Sequence, residues 1–401
     1  SYPHRKGHTL AYPYASTPEE RELYDWLRRH PNKFNVAEVQ LRLAAEGTEL
    51  SSPKELTDFR QRLDLYNGVI RTRYRWKGVT TVMESFIHAG RNLFVFHVND
   101  SASTPIARTL TITVGDPEGF DTRYDKFPPP PGDRAAASDR TRPLEQTGTN
   151  KSNQVFYALR HLPNGFSHSF VGGVTTQVTA VRFSEQTITV ELAPYQQKDF
   201  TIFLFIVSEQ EHSEPIRSGK VLLEAALKQG YQAVLSEHQQ WWHDYWERSS
   251  IELDSFDERG RTLERWYYLS LYYLACSDRG TLPPAEGGLA ANSWFGKFHL
   301  EMHFWHAIGF LAANRPECLR PSLQWYLYAV PQAKKNAEAM GLEGAKYPKM
   351  TSFRGLDSPG RTNLRIYWHV GEIPTLIYWY YLYTQDRPFL EEMYPVLRET
   401  A

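Results

Sequence analysis

The stretch Ala290-Ala291-Asn292-Ser293-Trp294-Phe295-Gly296-Lys297-Phe298-His299-Leu300-Glu301-Met302-His303-Phe304-Trp305-His306 packs two Trp, three His, one Lys and one Glu into 17 residues. On a helix, His299 and His303 stand at i,i+4, and His303 and His306 at i,i+3. Two chemistries suit that spacing. One is a metal held by His299, His303 and His306, although the His-Glu-x-x-His order of zinc enzymes is missing. The other is a polar cup walled by Trp294 and Trp305, gripping a hydroxyl-rich ligand through Lys297, Glu301 and the imidazoles. Buried, satisfied histidines at a helix start are the plain structural alternative. Two further segments carry similar residues. Gly344-Ala345-Lys346-Tyr347-Pro348-Lys349-Met350 reads as a loop with lysines at its rim. Tyr367-Trp368-His369-Val370-Gly371-Glu372 opens a helix, where a glutamate is also favoured simply by the helix dipole.

Composition narrows the functions these segments can serve. The 401 residues carry 45 basic and 46 acidic side chains, a net charge of −1, which gives no whole-chain pull toward nucleic acid or acidic membranes. No apolar run approaches the ~18 residues of a membrane span. Two cysteines, Cys276 and Cys318, exclude a disulfide scaffold and a cysteine-based zinc site. No cofactor is expected. Aromatic residues reach 14%, and nine of the eleven tryptophans lie between Trp241 and Trp379, so the second half is where a ligand-stacking pocket is expected.

The elements follow from periodicity. A short polar helix is expected from Thr17 to about Arg29. Strands are expected over 35–43, 69–76, 79–88, 93–100, 110–114, 155–159, 177–183, 187–192 and 199–207, where apolar and β-branched residues alternate between turn residues. Phe127-Pro128-Pro129-Pro130-Pro131-Gly132 through Gly148 reads as a long surface loop. Helical spacing takes over near residue 215, with helices over 218–247, 258–276, 301–313, 321–340, 370–383 and 388–401. Pro321 is assigned to the first turn of its helix and Gly341 to the stop. Strands first and helices second predict a multidomain α and β protein. Its expected parts are an antiparallel β-sandwich over 1–215, a linker helix over 216–248 and a helical domain over 249–401. The start at Ser1-Tyr2-Pro3 reads as internal. The helices after residue 250 are apolar on several faces, so the helical domain is expected to be incomplete.

The quoted segments resemble the six-hairpin glycosidases related to glycoside hydrolase family 65. Gln61-Arg62-Leu63-Asp64-Leu65-Tyr66-Asn67-Gly68-Val69-Ile70 and Ser85-Phe86-Ile87-His88 are similar to the family's sandwich signature. Trp241-Trp242-His243-Asp244-Tyr245-Trp246-Glu247-Arg248-Ser249 resembles the end of its linker helix, and Thr384-Gln385-Asp386-Arg387-Pro388-Phe389-Leu390 its barrel turn. The 296–306 segment looks like the loop and helix that bind the sugar at subsite −1, and the stretch from Ala333 through Met350 resembles the next barrel loop. Glu301 stands where phosphorylase members carry a sugar-binding Asp, with Leu300 in place of their Trp and His303 in place of a Glu. The resemblance implies a sandwich followed by part of an (α/α)6 toroid, and an inverting glycoside hydrolase with subsite −1 around Glu301. A phosphorylase of the same fold and a non-catalytic carbohydrate-binding fragment remain alternatives. It further implies a carbohydrate substrate bound by Trp294, Lys297, His299, Glu301, His303, Trp305, Lys349, Trp368, His369 and Glu372. The general acid is expected beyond Ala401. Asn99-Asp100-Ser101 and Asn150-Lys151-Ser152 fit the glycosylation pattern, so a secreted or periplasmic location is slightly favoured.

Overall fold

A computed structural model describes residues 17–19, 36–102, 106–114, 143–162, 166–194, 198–254, 256–286, 297–357 and 366–400. The chain divides into two compact units; the described part of one runs from residue 36 to Glu247, and that of the other from Arg248 onward together with residues 17–19.

The first unit is built from antiparallel strands. The smaller sheet takes β1 (Ala37–Ala45), β2 (Thr48–Glu49), β7 (Ala107–Val114), β11 (Val178–Phe183) and β12 (Thr187–Leu192), in the order β11-β12-β7-β1-β2. The larger takes β3 (Thr57–Asp64), β4 (Val69–Trp76), β5 (Val79–Ile87), β6 (Leu93–Asp100), β8 (Glu145–Thr149), β9 (Val155–His161), β10 (Ser167–Val174) and β13 (Asp199–Ser208), in the order β3-β4-β5-β6-β13-β10-β9-β8. Alternation explains the pairing. Along β7 every second residue is buried, and Leu110, Ile112 and Val114 meet Phe156, Phe170, Ile202 and Leu204 from the larger sheet. Between the sheets lies a buried ion pair: Arg108 Nη2 donates to both oxygens of Asp100 at 2.8 Å, and the Thr81 hydroxyl donates to one of them at 2.7 Å.

The larger sheet is buried on its second face too. There α1 (Pro215–Gln229) and α2 (Tyr231–Ser249) bury Leu223, Ala226 and Val234 against Val69, Phe86, Val95, Val171, Phe203 and Phe205. The single helix expected over 216–248 is therefore two, parted at Gly230, whose φ of 79° suits the helix stop. Two closely placed glycines let α1 approach. A Cβ on Gly219 would sit 2.5 Å from Val171, and one on Gly173 would sit 2.9 Å from Leu223. His238 ties α2 to the sheet, accepting the Ala89 N–H at Nδ1 (3.1 Å) and donating from Nε2 to the Gly68 carbonyl (3.0 Å).

Four strands of the first unit escaped the sequence reading: the short β2, the edge strand β3, β8 and β10. Every residue of β10 is buried, so Ser167-His168-Ser169-Phe170-Val171-Gly172-Gly173-Val174 shows no alternation. The edge strand β8 falls inside the stretch read as loop through Gly148. Residues 127–142 of that stretch, and 20–29 of the expected first helix, lie outside the described residues.

The second unit is helical: α3 (Glu258–Ser277), α4 (Leu300–Ala312), α5 (Pro316–Glu338), α6 (Trp368–Thr384), α7 (Arg387–Glu392) and α8 (Tyr394–Thr400). Two boundaries differ from expectation. Helix α5 starts at Pro316, so Pro321 and Pro331 lie inside it and each removes one donor from its ladder. The expected last helix breaks between α7 and α8, because Pro395 has no N–H to give the Glu391 carbonyl and its ring crowds that turn. Asp386 caps α7 by accepting the Phe389 N–H at 3.0 Å. Buried Phe310, Leu311, Leu319, Leu323, Ile373 and Ile377 supply the core of this unit. The fold class read from the sequence holds: an antiparallel sheet-rich unit followed by a helical region.

Candidate functional site

Three hydrogen bonds to main-chain carbonyls gather the polar residues of the helical unit. A two-stranded ribbon pairs β14 (Phe298–His299) with β15 (Met350–Thr351), and the Leu300 N–H donates to the Lys349 carbonyl at 2.8 Å. That ribbon sets Glu301, in the first turn of α4, against Lys349: Nζ lies 2.9 Å from Oε2. The His299 N–H donates to the Pro284 carbonyl at 2.9 Å, which brings up Glu286, whose Oε2 lies 3.4 Å from His299 Nε2. Finally His369 Nε2 donates to the Tyr347 carbonyl at 2.7 Å. This anchors the first turn of α6, and Glu372 follows one turn on.

The result is a cluster of carboxylates and bases with shifted protonation. Burial, reinforced by the charge of Glu301, pushes the Glu372 carboxyl up to about 7. Burial also raises Glu286, with Glu301 adding to the effect and Lys349 opposing it. Burial pulls His299 down to about 3 and His369 down to about 4, keeping both rings neutral near pH 7. Among the described residues, Glu372 Oε2 has no hydrogen-bond partner. Close by, Glu301 and the aromatic Trp305 stand at i,i+4 on α4, as do Trp368 and Glu372 on α6. Both tryptophans expose more than half their surface, 61% and 56%.

The structure therefore brings together Glu301, Lys349, His299, His369 and Glu372. It does not bring in His303. That ring is fully buried, with Nδ1 2.8 Å from the Tyr326 hydroxyl and Nε2 2.9 Å from the Ser322 hydroxyl. Both nitrogens are engaged, so His303 is a core histidine rather than a ligand-binding one. The same engagement corrects the metal alternative of His299, His303 and His306, and among the described residues no group of three such side chains is placed to hold a metal ion. His306 instead faces Asp278, 3.3 Å from its Oδ2. Lys297 is buried, which lowers its ammonium to about 8. Trp294 lies outside the described residues. Sequence reasoning missed Glu286, Tyr326 and Ser322. The only signal for Glu286 was its place after Pro283-Pro284.

The buried imidazoles make stability fall on acidification. His299, His303 and His369 are neutral when folded, with His303 held at about 3 by burial, against an ordinary value of 6.5. The unfolded chain takes up these protons first. Stability is therefore complete above pH 6.5 and is lost as pH falls through that value toward 3–4. The urea midpoint is expected to drop between pH 7 and pH 5, and His303→Gln should flatten that drop. An unchanged midpoint would contradict the neutral assignment.

The model of the glycosyl hydrolase family 65 N-terminal domain matches residues 23–245, and that of the family 65 central catalytic domain matches residues 284–401. A kojibiose hydrolase of Flavobacterium johnsoniae is 20% identical, over 92% of this chain and 54% of its own length. A maltose phosphorylase of Bacillus subtilis is 23% identical, over 59% of this chain and 30% of its own length. The chain thus spans about half the length of the first of these relatives and less of the second. A human-microbiome protein of known structure, named as a candidate kojibiose phosphorylase, superposes with a TM-score of 0.71. It is 13% identical, and the match covers 92% of this chain and 49% of that one. With the sandwich, the helical region and both family domains accounted for in one chain, this protein belongs to glycosyl hydrolase family 65.

Proposed function

We propose that the protein is an inverting glycoside hydrolase whose subsite −1 is built around Glu301. The observation that carries this reading is the Glu301–Lys349 pair at 2.9 Å with Glu372 held at about 7 beside it. A sugar hydroxyl both donates and accepts. An ionised Glu301 accepts, while Lys349 and a protonated Glu372 donate. Trp305 and Trp368 offer apolar faces of the kind that pack on a pyranose ring. In inversion, one carboxylic acid protonates the leaving oxygen and a carboxylate activates water on the opposite face. Glu286, Glu301 and Glu372 give the cluster three carboxyl groups against the one lysine paired with them. That balance favours attack by neutral water over binding of a phosphate dianion.

The test is to incubate the full-length protein with kojibiose and with maltose, with and without inorganic phosphate. Free glucose of inverted anomeric configuration, released without phosphate, is expected. Release of sugar phosphate only when phosphate is present would replace this reading by the phosphorylase one. Binding without turnover would leave a carbohydrate-binding protein.

A further inference from the structure

The edge of the larger sheet carries an unusual charge pattern. Cross-strand register places Arg60 opposite Arg73 and Arg62 opposite Arg71, with Arg75 two residues on along β4. Strand geometry puts all five side chains on one face, and all five are exposed. Like charges directly opposed destabilise a strand pair, and this hairpin holds two such pairs in succession. Among the described residues, only Arg71 has a carboxylate partner, Glu84 at 3.8 Å, and Glu84 is shared with the Tyr231 hydroxyl at 2.6 Å. Tyr231 opens α2, so the helical cover over this face is anchored beside the arginines and leaves them in solvent. The chain as a whole is nearly neutral, which makes the concentration of charge local.

Charge on an edge strand also blocks sheet-to-sheet aggregation, but two or three lysines on β3 alone would do that. Here the guanidinium groups continue inward onto β4, a paired strand. They form two parallel files, about 4.8 Å apart across the strands and ~6.8 Å apart along them. We propose that this face docks a carboxylated polysaccharide, a chain of uronic acid residues lying along the hairpin. Planar guanidinium groups pair with carboxylates through two parallel hydrogen bonds, and a regular array of them fits a polymer bearing one carboxylate per sugar. The neighbouring β5 positions on this face, Thr80, Val82 and Glu84, offer no aromatic ring for stacking nucleobases. The choice of a glycan over other polyanions rests on the carbohydrate-acting reading above.

The experiment measures binding of polygalacturonate to the 401-residue chain at low and high salt. Neutral dextran, duplex DNA and phosphatidylserine vesicles serve as comparison probes. Polygalacturonate should bind alone among them and weaken as salt rises. Arg60→Glu/Arg73→Glu should weaken it by about tenfold or more, and the milder Arg60→Gln/Arg73→Gln should give an intermediate loss. Unaltered thermal melting checks that both variants fold. Cleavage of neutral disaccharides by the full-length protein should be the same in both variants. Binding that survives charge reversal, or DNA or vesicles that bind as tightly as polygalacturonate, overturns the proposal. Polygalacturonate binding by a protein that cleaves no glycoside sinks the proposed activity and leaves the docking face standing.

Discussion

Replacing Glu301 by Gln in the full-length protein is expected to lower kcat/KM on its disaccharide by about 10²- to 10³-fold. Glutamine keeps the shape but loses the charge, so Lys349, 2.9 Å away and nearly buried, loses its ion pair with Glu301. A sugar hydroxyl held between the two loses its strongest acceptor. Charge loss also acts on the neighbours. The carboxyl of Glu372 is raised partly by Glu301, so its shift should shrink in the variant and the pH profile near 7 should move to lower pH. Lys349→Met separates the contributions. If the pair serves the fold alone, Glu301→Gln/Lys349→Met should recover both stability and activity. If it serves the ligand, stability returns and activity does not. Glu301→Gln turnover within a few-fold of the parent would remove Glu301 from the site.

Removing the carboxylate of Asp100 should cost about 3–5 kcal/mol of stability, because it strands the Arg108 guanidinium between the two sheets. Both partners are almost wholly buried, and the two carboxylate oxygens take bonds from Arg108 Nη2 and the Thr81 hydroxyl. Asp100→Ala leaves an unpaired charge where water cannot reach it. A second change, Arg108→Met, should restore much of the loss, since an apolar side chain of similar length suits the space among Phe200 and its neighbours. Urea denaturation of the three proteins measures this. Equal midpoints for Asp100→Ala and the parent would mean that solvent enters between the sheets.

Much of this architecture is legible in the residues. Strands β4, β7 and β12 announce themselves because one side of each faces the other sheet, so burial alternates along the chain. Strand β10 is silent for the opposite reason: covered on both sides, it has no polar face, and its two glycines weaken every strand signal. The same logic governs the site. Glu301, Lys349, His369 and Glu372 lie in segments whose composition stands out. Pairing between them depends on a two-residue ribbon and on one carbonyl, that of Tyr347, which no local pattern encodes. His303 looked like its neighbours in sequence. Its role is decided by Ser322 and Tyr326, about twenty residues away on the next helix.

The glycine-cushioned seat of α1 on β10 has a practical corollary for anyone dissecting the gene. A recombinant sandwich ending at residue 215 would bare Val171, Phe203 and Phe205, and the product should stick to itself. The shortest well-behaved piece must retain both helices through Glu247, so that the His238 tether and the Trp246 indole, bonded to the Leu65 carbonyl at 2.7 Å, travel with it.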